Sequence, residues 1–306
     1  MYDLVVDWAP PYELLVSLRA YTARAEHKTL DLGADWARGV RKRLTAQLST
    51  ELRSRERLSD LDLLDLLVWQ CPEERDVPSF LQWLSCLTPG ELYERLAAYI
   101  PTRRRSILGD LASIPNRYVP ILQGWDEQYF SRIDPAILCG LQANAAEHQA
   151  LLDRTAPGEV VEIATNGLTI PSDMEPATVV LVPQYHFRPW NVRGFYEGVR
   201  IIEYPADALP LAPGDVPPRL LRLTRALSDE SRLRILRFLG EEATSFMDIV
   251  RLTGLSKSTI HHHLVALRAA GLVLVHDVGE KQGMYSVRHD AVEEMSDSLR
   301  TYLNGK

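Results

Sequence analysis

Apolar residues recur at intervals of three and four along the first half of the chain, and this spacing predicts helices over residues 12–155. The spacing is clearest at Leu14, Leu15, Leu18, Leu61, Leu64 and Val68. The segment Thr88 to Glu91 has the form of a capping box, in which a hydroxyl and a carboxylate satisfy free N–H groups at a helix start. Asp134 followed by Pro135 predicts the start of a helix that reaches about Arg154.

The pattern changes after residue 157, where short segments rich in β-branched residues replace the helical spacing. These segments are VVEIA (160–164), ATVVLVP (177–183) and VRIIEY (199–204), and they predict a small sheet within residues 160–204. A proline-rich segment, residues 204–219, favours a domain boundary near Pro213. The predicted fold class is α+β, mostly α, with a helical domain at 1–212 and a smaller domain at 213–306.

Residues 217–304 predict a defined order of elements. Asp229, Ser245 and Ser256 stand where helix N-caps are expected, and Gly254 allows the left-handed turn that ends one helix just before the next begins. Two short helices joined in this way form a helix-turn-helix, whose second helix enters the major groove of DNA. A hairpin, or wing, and a last amphipathic helix complete the predicted domain.

This part of the chain resembles the ArsR-type winged helix-turn-helix repressors. The resemblance rests on LSDESRLRILRFL (227–239), GLSKSTIHHHLVALRAAGLV (254–273) and the wing that ends at Val287. The segment APPYELLVSLRAYTARAEH (9–27) is similar to an uncharacterised helical domain that precedes ArsR-type modules in some bacterial regulators. The resemblance implies a bacterial, cytoplasmic transcription regulator that acts as a dimeric repressor on double-stranded DNA.

Helical geometry sorts the side chains of the second helix of the helix-turn-helix. Ile260, Leu264 and Leu267 form the buried stripe, so the polar residues opposite them face outward. Basic residues at the first turn and on the wing are predicted to contact phosphates, which makes affinity fall with salt. The predicted DNA-binding residues are Ser256, Lys257, Ser258, Thr259, His261, His262, Lys281 and Arg288.

The first and last helices of this domain carry more apolar residues than one small core requires, and in the ArsR-type repressors these helices build the dimer. The predicted interface residues are Leu220, Leu223, Leu227, Val292, Met295, Leu299 and Tyr302. Two-fold symmetry then predicts a palindromic operator with half-sites about one helical turn apart.

Charge is divided unevenly along the chain. The net charge is -7, but residues 216–306 hold 13 Lys and Arg against 11 Asp and Glu, so the acidic excess lies in the front domain. No segment has the length and apolar composition of a membrane span, and the first residues lack the plan of a signal peptide, which favours a cytoplasmic protein.

The sequence predicts no metal and no cofactor. Cys71, Cys86 and Cys139 are too far apart for a cysteine-rich site. Neighbouring helical residues point about 100° apart, so His261, His262 and His263 cannot converge on one ion. The segments that hold metal ligands in many ArsR-type sensors, here ATSFMDIVRL and DAVEEMSDSLRTYL, contain neither Cys nor His.

Any sensing function therefore falls to the front domain, where one segment has unusual chemistry. Tyr185, His186, Arg188 and Trp190 combine aromatic rings, a cation and a titratable ring, and they predict a pocket for an anionic or aromatic small molecule. The alternative is a strand edge packed on the helices, with Arg188 paired to a carboxylate. A bound ligand changes DNA affinity only if it favours one conformational state.

Two other functions remain open at this stage. In the first, the acidic front domain docks another protein and DNA binding is weak. A small-molecule enzyme fused to a regulator is the other, although the chain has no HExxH, GxSxG, P-loop or strand-associated GxGxxG motif and no catalytic residue is predicted.

Overall fold

The computed structural model describes residues 2–54, 58–72, 74–172, 176–206, 214–240, 242–276 and 283–304. The predicted fold class is confirmed, because the chain is a mostly helical α+β protein. It forms an N-terminal unit of Tyr2–Ala150 and Pro176–Leu209 and a C-terminal unit of Leu151–Glu175 and Pro210–Lys306. Each unit is therefore assembled from separate segments of the chain.

This division differs from the one that the sequence predicts. Pro213, the predicted boundary, lies outside the described residues, but residues 151–175 belong to the C-terminal unit and not to the front domain. The cause is a long-range pairing in which Leu168 lies opposite Val275 in a shared sheet. Local composition cannot reveal a partner so distant along the chain.

Helices dominate the N-terminal unit and have mostly local start signals. The predicted capping box is confirmed, since the Thr88 hydroxyl accepts from the Glu91 backbone N–H and the Glu91 carboxylate accepts from the Thr88 N–H. The helices are α1 (Pro10–Thr22), α2 (Gly33–Arg41), α3 (Ala46–Glu51), α4 (Leu63–Trp69), α5 (Val77–Cys86), α6 (Pro89–Leu96), α7 (Ser113–Gln128) and α8 (Pro135–Leu151), with a 3-10 segment at Thr102–Asp110. Helix α1 is buried on almost every side and packs against α4, α5 and α7 in the core.

The predicted strand at VVEIA is wrong, because residues 160–164 lie in helix α9 (Pro157–Thr165). Pro157 occupies the first turn, and Val160, Val161 and Ala164 turn one face inward. Asn166 in the left-handed conformation ends the helix. Tertiary packing of this face therefore overrides the β propensity of the two valines.

The chain contributes strands to two separate sheets. In chain order they are β1 (Asp3–Val6), β2 (Leu168–Thr169), β3 (Thr178–Gln184), β4 (Val192–Phe195), β5 (Val199–Pro205), β6 (Thr244–Ser245), β7 (Val273–His276) and β8 (Met284–Val287). The sheet of the N-terminal unit has the order β1-β3-β5-β4, with β3 parallel to β1 and β5 and with β4 antiparallel to β5. Strands β3 and β5 are buried almost throughout, which explains their nearly uninterrupted apolar sequences.

The C-terminal unit surrounds the second sheet, of order β2-β7-β8-β6, with helices. Besides α9, its helices are α10 (Pro218–Leu227), α11 (Glu230–Leu239), α12 (Phe246–Thr253), α13 (Lys257–Ala269) and α14 (Asp290–Leu303). Strands β7 and β8 form the predicted antiparallel hairpin, and β2 adds to it as a parallel edge strand.

Close backbone approach and one histidine hold β2 in place. Gly167 has φ +107°, and a Cβ atom there would lie 2.8 Å from the carbonyl oxygen of Val273. The His276 ring bridges three strands, with Nδ1 2.8 Å from Thr169 Oγ1 and Nε2 2.9 Å from Ser286 Oγ. Burial lowers the pKa of His276, which favours the neutral ring in this position.

Candidate nucleic-acid interface

A tight turn joins α12 to α13, and local hydrogen bonds fix it. Ser245 and Ser256 cap the two helices by accepting from the backbone N–H groups of Asp248 and Thr259. Gly254, at φ +68°, ends α12 in the left-handed conformation that the sequence predicts. These interactions set the angle at which α13 leaves the turn.

Helix α13 is divided into a buried and a polar side. Ile260, Leu264 and Leu267 are at most 3% exposed and anchor the helix in the unit. The opposite side, called the polar flank below, consists of the exposed Ser256, Lys257, Ser258, His261 and His262 with the half-buried Thr259. It presents hydroxyl, imidazole and ammonium groups to solvent, the kinds of group that contact base edges and phosphates.

Some hydroxyl groups of the polar flank already have partners. Ser256 Oγ lies 2.9 Å from Ser258 Oγ and 2.8 Å from Thr259 Oγ1, in addition to its capping bond. Ser256 therefore shapes the first turn of α13, and its direct contact with DNA stays a prediction. His261 and His262 extend further along the helix, with ring centroids 6.2 Å apart.

His263 points away from the polar flank and is half-buried. Its Nδ1 lies 4.0 Å from the carboxylate of Asp229, which caps α11 through the backbone N–H of Arg232. That hydrogen bond lowers the pKa of Asp229, with a smaller contribution from His263. His263 therefore joins α13 to the start of α11.

The wing arginine is buried, contrary to its predicted contact with phosphate. The Arg288 side chain is only 3% exposed, and its Nη2 and Nη1 donate to Glu294 at 2.6 and 3.0 Å. Its Nε donates to Glu162 of α9 at 3.2 Å, and Arg219 pairs with the same Glu294 carboxylate. A guanidinium so enclosed cannot reach DNA, so this prediction is wrong. Lys281 lies outside the described residues.

Comparison with known proteins places the sequence of this region in a family. Residues 229–274, from the N-cap of α11 to the start of β7, match the family model described as bacterial regulatory protein, arsR family. A solved structure described as an ArsR-like transcriptional regulator from Rhodococcus sp. RHA1 is 30% identical, with 28% of this chain and 80% of that chain covered and a TM-score of 0.25. The chain belongs to the ArsR family through its C-terminal unit. The search of curated proteins gave no significant match.

The ArsR-family match makes the protein a DNA-binding transcription regulator, with α12 and α13 as its helix-turn-helix. None of the helices in the described ranges combines the length and the apolar composition that crossing a bilayer requires. Within those ranges, no three His, Cys, Asp or Glu side chains group as metal ligands would.

The predicted dimer residues of this ArsR-family chain fall into two groups. Leu220 and Leu223 are 3% and 1% exposed, because α10 packs against α11, α13 and α14 of its own unit. These two residues are therefore unavailable to a second subunit, and their prediction is wrong. Leu227 and Met295 are half-buried.

An apolar face remains exposed on α14. Val292, Leu299 and Tyr302 are 58%, 39% and 36% exposed. Leu303 at 71% and Leu221 of α10 at 36% belong to the same set of exposed apolar residues and are missing from the predicted interface. The helical spacing of Leu303 from Leu299 gives a signal for it, since residues four apart share a helix face.

The ligand pocket predicted in the N-terminal unit is filled by protein. His186 is 1% exposed, with Nδ1 2.5 Å from Glu13 Oε1 and Nε2 2.6 Å from the Tyr129 hydroxyl. Glu13 also accepts from the backbone N–H groups of His186 and Tyr185, each at 3.0 Å. Burial raises the pKa of Tyr129, which keeps its hydroxyl protonated. The network satisfies the imidazole internally and leaves it no access to a ligand.

The other predicted pocket residues also have internal partners. Arg188 is 6% exposed, donates to the Tyr185 and Ala206 carbonyls, and stacks 4.1 Å from the Tyr185 ring centroid. Trp190 is half-buried, and its Nε1 donates to Thr29. The prediction of a pocket at these four residues is therefore wrong. The alternative stated above holds in that the segment packs against other parts of the protein, but the segment forms turns after β3, and Arg188 donates to backbone carbonyls.

Proposed function

We propose that this ArsR-family protein is a cytoplasmic bacterial repressor that binds a palindromic operator as a homodimer. An effector of the N-terminal unit modulates its affinity for DNA. The observation that carries the proposal is the polar flank of α13, which is exposed except for the half-buried Thr259, while buried aliphatic residues anchor the opposite side. This is the arrangement that a recognition helix needs in the major groove.

Substitution of the polar flank tests DNA recognition. Thr259→Ala with His262→Ala removes one hydroxyl and one imidazole and leaves the buried side of α13 unchanged. We expect operator affinity to fall at least tenfold, since a good contact to a base edge contributes about 1–3 kcal/mol of discrimination. Fluorescence anisotropy with the DNA upstream of its own coding sequence, in the presence of competitor DNA, measures the change.

The matched control is Thr301→Ala, an exposed threonine of α14. It is expected to keep wild-type affinity, and circular dichroism checks that every variant is folded. Unchanged operator binding by the double variant would remove Thr259 and His262 as recognition residues. Failure of the wild-type protein to prefer the upstream DNA over competitor would instead favour a protein-docking function with weak DNA binding.

Lys257 supports the electrostatic part of the proposal. It stands exposed at the first turn of α13, where a phosphate contact positions the helix without reading sequence. Lys257→Gln is expected to weaken binding to all sequences alike and to reduce the slope of log affinity against log salt by about 1. A slope that stays the same would show that Lys257 is merely solvated.

The exposed face of α14 supports the dimer. Val292 and Leu299 lie seven residues apart, so they share one side of the helix, and α10, which packs against α14, carries the exposed Leu221. A symmetric two-fold contact buries the same patch on both copies. The partner proposed for this face is therefore a second copy of the chain.

Charge introduced into this face tests the dimer. Val292→Glu with Leu299→Glu places two carboxylates in the proposed contact, and both positions are exposed in the single subunit. Sedimentation is expected to show a monomer, and operator affinity is expected to fall with it. Thr301→Glu, at an exposed position on the opposite side of the same helix, is the control. A wild-type protein that sediments as a monomer at operator-binding concentrations would refute the dimer.

A further inference from the structure

A cleft of about 890 Å³ opens in the N-terminal unit, separate from the residues predicted to form a pocket. The end of α1, the residues that follow α3 and strand β4 bound it. Its volume lies within the range of about 300–1,000 Å³ in which proteins hold small molecules. The cleft is therefore large enough for an organic ligand.

Most of the charged residues that line the cleft are basic, whereas residues 1–215 as a whole are acidic. Residues 1–215 carry 21 basic and 30 acidic side chains, yet among the residues that the structure describes four arginines and two acidic residues line the cleft. Of the two acidic residues, Asp62 already accepts two hydrogen bonds from Arg104, at 2.6 and 3.1 Å. Glu26, the other, is exposed. The local field of the cleft consequently favours an anion.

The four arginines differ in what they already bind. Arg19 donates to Asp65 at 2.6 Å and to Glu203 at 2.8 Å, so two carboxylates neutralise its charge. Arg24 and Arg53 are exposed, and no carboxylate of the described residues lies within ion-pair distance of either. These two exposed guanidinium groups of the lining are therefore the candidates for pairing with a bound anion.

The remaining lining is apolar. Leu58, Phe187, Val192 and Phe195 are half-buried around the cleft, and Arg193 lies over the Phe195 ring at 5.4 Å. Half-exposed aromatic and aliphatic side chains gain free energy when a ligand covers them, about 25 cal/mol for each Å² of apolar surface. The cleft thus joins an apolar wall to a cationic rim.

We propose that the cleft binds a carboxylate with an aromatic or aliphatic body, whose charged group pairs with Arg24 and Arg53 and whose body packs on Phe187 and Phe195. A guanidinium donates two parallel hydrogen bonds to a carboxylate, which makes arginine suited to this contact. The inference names a ligand class for the effector, and only its regulatory consequence rests on the proposed function.

Calorimetric titration of the full chain with 2-naphthoate tests the site. The neutral 2-naphthalenemethanol has the same ring system and lacks the charge, so it is expected to bind at least tenfold more weakly. Arg24→Gln with Arg53→Gln is expected to weaken 2-naphthoate binding at least tenfold, whereas Arg41→Gln, an exposed arginine of α2 outside the cleft, keeps it. Ala25→Trp, at an exposed position of the lining, narrows the cleft and is expected to weaken binding as well.

Three results would overturn the site: no binding of 2-naphthoate by the wild-type protein, equal binding by the double arginine variant, or equal affinity for the neutral alcohol. Thermal unfolding followed by tryptophan fluorescence shows whether the variants remain folded. The titration requires no DNA, so a failure of DNA binding leaves its result intact. If 2-naphthoate binds but operator affinity does not change, the site stands and its regulatory consequence is refuted.

Discussion

Replacing Arg288 with methionine is expected to destabilise the C-terminal unit without changing the salt dependence of DNA binding. Methionine keeps an unbranched apolar stem but removes every donor of the guanidinium. The wild-type side chain makes a two-pronged ion pair with Glu294 and a further bond to Glu162, and it is 3% exposed. The substitution therefore breaks the connection between α9, the end of β8 and α14.

The magnitude follows from the burial of the partners. Removing one member of a buried ion pair costs about 3–5 kcal/mol, because the other charge is left without compensation. Here Glu162 and Glu294 are 26% and 31% exposed, so water solvates part of the charge that remains. Arg219 also stays paired with Glu294. We therefore expect a loss of about 2–3 kcal/mol in the free energy of unfolding of this unit.

The measurement must report on the C-terminal unit alone. All six tryptophans lie within residues 8–190, in the segments of the N-terminal unit, so tryptophan fluorescence is blind to this change. Amide hydrogen exchange at increasing urea, read by mass spectrometry on peptides from α9 and α14, follows the unit directly. Arg300→Met is the control, since its pair with Asp297 is 3.7 Å long and about three-quarters exposed, and it is expected to change stability by less than about 0.5 kcal/mol.

Two results would refute this reasoning about Arg288. A loss below about 1 kcal/mol would show that the buried pairs contribute little beyond their desolvation cost. A decrease of about 1 in the salt slope of DNA binding would show that Arg288 leaves its partners to contact phosphate.

Three further substitutions test other features of the two units. Gly167→Ala is expected to cost about 2 kcal/mol or more in the same exchange assay, because the backbone is left-handed and the new Cβ meets the Val273 carbonyl. His276→Asn is expected to reduce the loss of stability on acidification. The folded pKa of His276 lies below its ordinary 6.5, so the unfolded chain binds the proton first and stability falls as pH drops below about 6.5. Glu13→Gln is expected to reduce the free energy of unfolding of the N-terminal unit by about 2 kcal/mol, since it weakens the hydrogen bonds to the His186 ring and backbone. Tryptophan fluorescence during unfolding measures the resulting decrease of the midpoint.

Each of these substitutions has a matched control. Gly39→Ala, on a helical backbone with open space around it, is expected to cause no loss. His289→Asn replaces an exposed histidine and is expected to keep the pH dependence, and Glu94→Gln replaces an exposed carboxylate and is expected to keep the midpoint. A variant that behaves like its control would contradict the role assigned to that residue.

Local signals account for what the sequence predicts well. Ser245, Gly254 and Ser256 act within a few residues of themselves, and the caps and the turn of the helix-turn-helix occur where they indicate. The buried stripe of α13 likewise follows from helical spacing alone. Only the sequence of the unit and its own backbone geometry are needed for these features.

Features that depend on distant segments are the ones that the sequence leaves undetermined. From the sequence, Arg288 is predicted to be an exposed wing residue. In the structure, helix α9 places Glu162 beside it, and the two form an ion pair. From the sequence, His186 is predicted to bind a ligand. In the structure, Glu13 of helix α1 accepts hydrogen bonds from its backbone and ring instead. In both cases a charged or titratable side chain has unusual chemistry because of an internal partner. A charged or titratable residue in a sequence therefore indicates a ligand-binding site only when no other residue of the protein satisfies it.

The assignment of residues 151–175 to the C-terminal unit changes how an effector would act. The chain passes between the units near residues 150, 175 and 209, and the middle segment supplies β2 to the sheet that carries the wing. A linker at Pro213 alone would give the N-terminal unit one flexible tether to the helix-turn-helix. With β2 hydrogen-bonded through the Gly167 carbonyl to the Val275 N–H at 2.7 Å, the wing sheet contains chain that continues on both sides into the N-terminal unit. The proposed effector can change DNA affinity by this route only if it binds more tightly to one arrangement of β2 and β7 than to another.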